Sequence, residues 1–152
     1  MNRLLNKYVT ATAKGGAIKR TARLGRVSNL FSVTDGLPVV RKLRPGMLIT
    51  FFYRPKGVNF LPYWDSHPLV MVNEIKLDGW IGMNFHYVHP DIRKAVLSGA
   101  DPGQNISKRY LATHVQGNLY EITPKYIDAA MQIPYENFQR VANSTVWKKG
   151  NR

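Results

Sequence analysis

The sequence predicts an α+β fold: a small SH3-like or OB-like β-barrel, several short helices after it, and an extended basic N-terminal arm before it. Three observations point there. Basic residues crowd the first third of the chain, short β-branched and aromatic runs between Gly and Pro turns fill the middle, and the apolar period lengthens after His89. The chain has 152 residues, enough for one domain, and 44% hydrophobic composition excludes a wholly disordered chain. With no cysteine, disulfides, thiolate zinc sites and cysteine nucleophiles are excluded. No apolar run approaches the roughly 18 residues needed to span a bilayer, so no membrane partner is expected.

Charge is the most informative quantity. The chain carries 22 Lys+Arg against 9 Asp+Glu, a formal +13. Residues 1–44 hold Arg3, Lys7, Lys14, Lys19, Arg20, Arg23, Arg26, Arg41, Lys42 and Arg44, ten cations opposed by Asp35 alone, for +9. Such a field favours polyanionic or acidic partners, and these ten residues are the candidate partner- or nucleic-acid-binding set. Between Thr10 and Ser28 small residues and glycines dominate, too little apolar surface to offset the entropy of ordering. This segment is expected to order on a partner, whereas the denser apolar residues of Leu30–Val40 are expected to fold back on the body. A targeting peptide at Asn2–Val9 is the weaker reading, because the segment beyond is Gly-rich where a transit helix should continue.

The barrel is expected over 46–88. Met47–Tyr53 is β-branched and aromatic, and Arg54-Pro55-Lys56-Gly57 ends it. Leu69–Val72 and Glu74–Leu77 read as two further strands, and Asp78-Gly79 as a hairpin dipeptide. Trp80–Tyr87 reads as a bent strand in which Gly82 marks a bulge or close approach. Leu48, Phe51, Leu69, Val70, Ile81 and Phe85 are the expected core. Residues 89–147 are expected to be helical and packed on the barrel, with a basic tail at 148–152. His89-Pro90-Asp91 starts one helix and Gly99 stops it. Ile106, Tyr110, Leu111 and Val115 have helical spacing. Thr123-Pro124 opens another helix, and Pro134 starts a helical turn through Phe138 and Val141.

No residue pattern calls for catalysis. His86 and His89, with Asp65 and His67 upstream, lack the convergent ligand pattern that zinc requires. Asp65, Glu74, Asp78 and Asp91 are isolated, and no phosphate loop, dinucleotide fingerprint or nucleophile elbow occurs. No catalytic residue, metal or cofactor is therefore expected. Phe60-Leu61-Pro62-Tyr63-Trp64 could stack nucleobases, but Arg54 and Lys56 are its only cations nearby in sequence, which favours a loop packed on the core.

One succession of residues resembles a known family. Gly46-x-Leu48-x-x-Phe51-x-Tyr53-x-Pro55-Lys56, then Leu61-Pro62-Tyr63-Trp64-Asp65-x-x-Pro68-Leu69-Val70 and Gly79-Trp80-Ile81-Gly82-Met83-Asn84-Phe85-His86-Tyr87, is similar to small virion proteins of contractile-tailed bacteriophages. Arg109-Tyr110-Leu111, Ile133-Pro134-x-x-x-Phe138 and Val146-Trp147 extend the likeness over 46–147. Trp64 stands where the family has tyrosine, and Ser66-His67 where it tends to have a basic residue and Phe. The resemblance implies a non-enzymatic structural protein of the tail, baseplate or head–tail region. It would be present in several copies in a symmetric ring, bound to other virion proteins and assembled in the host cytoplasm. The alternative is a nucleic-acid-binding protein, DNA-end, portal-proximal or ribosomal in type, using the basic arm, in a virion on packaged DNA. A peptidoglycan-cleaving hydrolase has only Asp65 and Glu74 in its favour.

Overall fold

The computed structural model describes residues 36–148. Its centre is a five-stranded antiparallel sheet in the order β5-β4-β3-β1-β6. The strands are β1 (Leu48–Tyr53), β3 (Leu69–Lys76), β4 (Gly79–Asn84), β5 (Ser107–Leu111) and β6 (Val115–Glu121). A two-stranded ribbon joins β2 (Trp64–Asp65) to β7 (Phe138–Gln139). Three helices, α1 (Pro90–Leu97), α2 (Ile127–Gln132) and α3 (Asn143–Lys148), complete the fold. No described helix is long and apolar enough to cross a membrane.

β1 lies inside the sheet between β3 and β6 and is covered on both faces. Leu48 joins a cluster with Leu69, Phe85, Val96, Ile122, Met131 and Val146, which the helices cover. Ile49, Phe51 and Tyr53 point the other way, onto Val70, Val72, Trp80 and Tyr110. The period-2 alternation of a strand thus feeds two cores. Leu48, Phe51, Leu69, Val70 and Phe85 are buried as expected. Ile81 is only half-buried, because in β4 the inward phase belongs to Trp80, Gly82 and Asn84. At Gly82 a Cβ would collide with Val70 Cγ1 and the Met71 carbonyl, so only glycine lets β4 lie this close to β3.

The sheet is open. β5 and β6 are its two edges, and no closed barrel forms among the described residues. Yet only a 3₁₀ turn, Ala112–His114, links these edges. Four strand spacings across a flat sheet would be about 19 Å, whereas a three-residue 3₁₀ turn rises only about 6 Å. The sheet must therefore roll until its edges approach at that end. Leu111 N donates to Tyr53 Oη at 2.9 Å, tying the end of β5 to β1, the strand beside β6.

Several local expectations are corrected. Leu69–Lys76 is one strand with a register shift between Val72 and Glu74, not two, and its tight turn is Leu77-Asp78. Ser107–Leu111 is a strand and not helical. Ile106 and Tyr110 are four apart, a spacing that serves a helix face and one side of a strand equally, and the open edge of β4 decides between them. Pro134 does not start a helix, since Phe138 pairs with Asp65 in the ribbon. The helix at Pro90–Leu97 is as expected, with the His89 ring accepting from Asp91 N at 3.0 Å and Gly99 beyond its end at φ +110°. Tyr110 and Phe138 are buried, and Trp147 packs on the core with its indole N–H on the His86 carbonyl at 3.0 Å.

The described end of the arm folds back on the body. Val39 bridges Tyr120 of β6, Val40 N donates to the Leu119 carbonyl at 2.8 Å, and Leu37 is buried in the helix-covered core. The rest of the arm expectation, residues 1–35, lies outside the described residues, as do residues 149–152 of the basic tail.

Candidate nucleic-acid interface

The chain between β1 and β3 leaves the sheet and returns, so a long loop must be held down. Asp65 holds it. Its Oδ2 lies 2.7 Å from His86 Nδ1 and accepts from Asn84 Nδ2 at 3.1 Å. Its Oδ1 accepts from the backbone N–H groups of His67 at 2.9 Å and Asn137 at 3.3 Å. One carboxylate thus joins the loop, the end of β4, the 3₁₀ turn Phe85–Tyr87 and the C-terminal segment. Burial pushes the Asp65 carboxyl up, but the His86 ring and the donated hydrogen bonds outweigh it and hold the group at about 2.

His67 is equally buried and stacks on Phe52 at 4.5 Å between centroids. Thr50 Oγ1 donates to the Pro68 carbonyl at 2.8 Å, leaving its oxygen to accept from His67 Nε2 at 3.3 Å. Burial drives this imidazole down to about 3. A third buried polar group is Arg93, at 0% exposure. Its Nε donates to the Phe85 and Val88 carbonyls, both at 2.9 Å, and its Nη2 lies 3.4 Å from Glu136 Oε2. That last contact is an ion pair without hydrogen-bond geometry.

Could these groups do chemistry? His67 and His86 are wholly buried, so no solute reaches them. His86 and His89 do not converge: one pairs with Asp65, the other caps α1. Among the described residues no three His, Asp or Glu side chains gather to hold a metal ion. The network's work is mechanical, fixing the loop beside an open cleft.

That cleft measures about 660 Å³ and lies between the loop and the β4–β5 face. Tyr53, Tyr63, Trp64, Tyr87 and Tyr110 supply its aromatic wall, and Lys56, Lys108 and Arg109 its cations. Tyr53, Tyr87 and Tyr110 are buried, while Tyr63 and Trp64 are half-exposed. Lys108 Nζ sits 4.4 Å from the Tyr87 ring centre, and the Arg140 guanidinium 5.1 Å from that of Trp64. Arg140 also donates to the Leu61 carbonyl, from a backbone at φ +76°, the sole positive φ outside glycine among the described residues. Burial raises the Tyr87 and Tyr110 phenols far above their ordinary value, so both stay protonated donors. Asp78 in the lining is paired with Arg109 at 2.6 Å.

Of the ten cations singled out from sequence, Arg3, Lys7, Lys14, Lys19, Arg20, Arg23 and Arg26 lie outside the described residues. Arg41, Lys42 and Arg44 are exposed between the β6 edge and β1, without an acidic partner among the described residues. Lys108, Arg109 and Arg140 were not singled out. Their only signal was the basic–aromatic alternation of Lys108-Arg109-Tyr110, and nothing in the sequence places it beside Tyr63 and Trp64.

Residues 32–100 match the family model described as the phage T4 terminal DNA protecting protein. The match spans slightly less than half of the chain and takes in the end of the arm, the loop and the network residues Asp65, Asn84 and His86. It supports a phage protein family, and does not single out a tail or baseplate one. No curated protein and no solved structure gives a significant match.

Proposed function

We propose that this chain is a non-enzymatic, DNA-associated phage protein that binds the ends of packaged DNA in the virion. The observation that carries the reading is the cleft, lined by aromatic side chains together with Lys56, Lys108 and Arg109, most of the aromatics within the residues similar to a protein named for protecting terminal DNA. The +13 charge adds to it, because each cation set on phosphate releases counterions. A site that binds and covers needs no nucleophile, which agrees with buried histidines that no substrate can reach. The strand order and the 3₁₀ link between the sheet edges support an SH3-like body.

A second reading, contact with neighbouring virion proteins, draws on Phe60 and Leu77, whose side chains stand 91% and 107% exposed at loop tips. Salt separates the two. Titrating the protein onto a linear duplex between about 50 and 200 mM salt should show affinity falling by orders of magnitude if phosphates are the ligand. Absence of binding at low salt would remove the DNA reading.

A further inference from the structure

We infer that the aromatic cleft takes unpaired nucleotides, so that the protein grips a single-stranded tail or a frayed strand at a DNA end. This rests on the DNA-end reading and specifies what enters the cleft. A cleft of about 660 Å³ has the size of a small-ligand site. It accommodates a nucleotide or two and excludes a duplex, so any nucleic acid inside it is unpaired.

The chemistry of the walls fits that occupant. Tyr63 and Trp64 are half-exposed and line the cleft with the buried Tyr87 and Tyr110, and base–aromatic stacking is tolerant of sequence because every base has a π-face. Three cations line the same cleft as these rings. Lys56 is exposed and has no acidic partner among the described residues, and Lys108 lies over the Tyr87 ring. Arg109 is held by Asp78 in a solvent-exposed pair, which is weak enough for a phosphate to displace. Asp65 in the cleft lining does not repel an anion, because His86 and three other donors already engage it.

The platform is also ordered in advance. Asp65 fixes one end of the loop, and Arg140 ties the Leu61 carbonyl from the C-terminal segment. Binding therefore does not have to order the loop, a cost that otherwise subtracts from affinity. A proline-rich peptide would also suit an aromatic groove, but it brings no anion to a cleft lined by Lys56, Lys108 and Arg109, and charge favours the nucleotide.

The test uses the full chain with two probes, a short blunt duplex and the same duplex with a short thymidine tail. The tailed probe should bind about tenfold tighter or more, as expected for one or two stacked bases. Tyr63→Leu keeps the apolar bulk and removes the ring, and Lys56→Gln alters only an exposed side chain. Both should shrink the tail's advantage over the blunt duplex, and an advantage that both variants keep in full would overturn the inference. Equal affinity for the two probes would overturn the inference and leave the DNA-end reading standing. Failure to bind either probe would overturn both. Displacement of the tail by a proline-rich peptide at comparable concentration would show the cleft to be a peptide site and would also overturn it.

Discussion

Asp65 and His86, 21 positions apart in sequence, meet at 2.7 Å between Oδ2 and Nδ1 with both side chains sealed from solvent. Three segments reach this pair: the loop through His67, β4 through Asn84, and the C-terminal segment through Asn137. The pair is therefore the fastening of the loop beside the cleft. Its removal should be felt as stability first and as cleft geometry second.

Asp65→Asn leaves a buried imidazole without its carboxylate. Leaving buried donors unsatisfied costs about 1–3 kcal/mol, and chemical denaturation should show a loss of that order. A change below about 1 kcal/mol would mean that the network does not hold the fold.

Acid should destabilise the protein in two stages. His67 is neutral when folded, with its pKa depressed to about 3, and it charges readily once unfolded. The unfolded state therefore binds more protons below the ordinary histidine value of about 6.5, and stability falls with pH at up to about 1.4 kcal/mol per unit down to about pH 3. Asp65, depressed to about 2, adds a second loss from about pH 4 downward. Replacing His67 with Gln should flatten the curve between pH 6 and 4, and an unchanged slope there would exclude His67 as its source.

Gly82→Ala forces a methyl group against the Val70 side chain and the Met71 carbonyl. Overpacking of this kind costs about 1–3 kcal/mol, and backbone cannot yield as a flexible side chain does. Thermal unfolding would register it, and an unaltered midpoint would show that β3 and β4 have room to separate.

These elements also mark what the sequence discloses. β1, the β3–β4 hairpin and α1 were legible because their information is local: apolar runs bounded by turns, and a proline at a helix start. β5 was not, because an i, i+4 pair satisfies two periods and the choice depends on an edge strand about 25 residues earlier. The cleft was illegible for the same kind of reason. Phe60–Trp64 lacks a basic groove in sequence, and the cations that complete it arrive from β5 and from Arg140 only on folding. Asp65 looked like an isolated acid because each of its partners is remote or is a backbone N–H, which residue identity does not reveal.

Arg41, Lys42 and Arg44 are exposed, so their joint replacement by glutamine should change stability by no more than about 0.5 kcal/mol each. If they contact phosphates, the slope of log affinity against log salt for a linear duplex should fall by about 0.9 for each contact removed. An unchanged slope would place the DNA contacts elsewhere on the chain.

Protection of a DNA end is the most direct measurement of the central claim. A linear duplex labelled at one terminus would be incubated with the full chain, challenged with an exonuclease, and competed with either unlabelled linear DNA or closed circular DNA of the same sequence. The account expects the end to survive digestion, with the linear competitor abolishing protection at far lower concentration than the circular one. Equal competition by circular DNA, or digestion at the unprotected rate while the protein is bound, would contradict it.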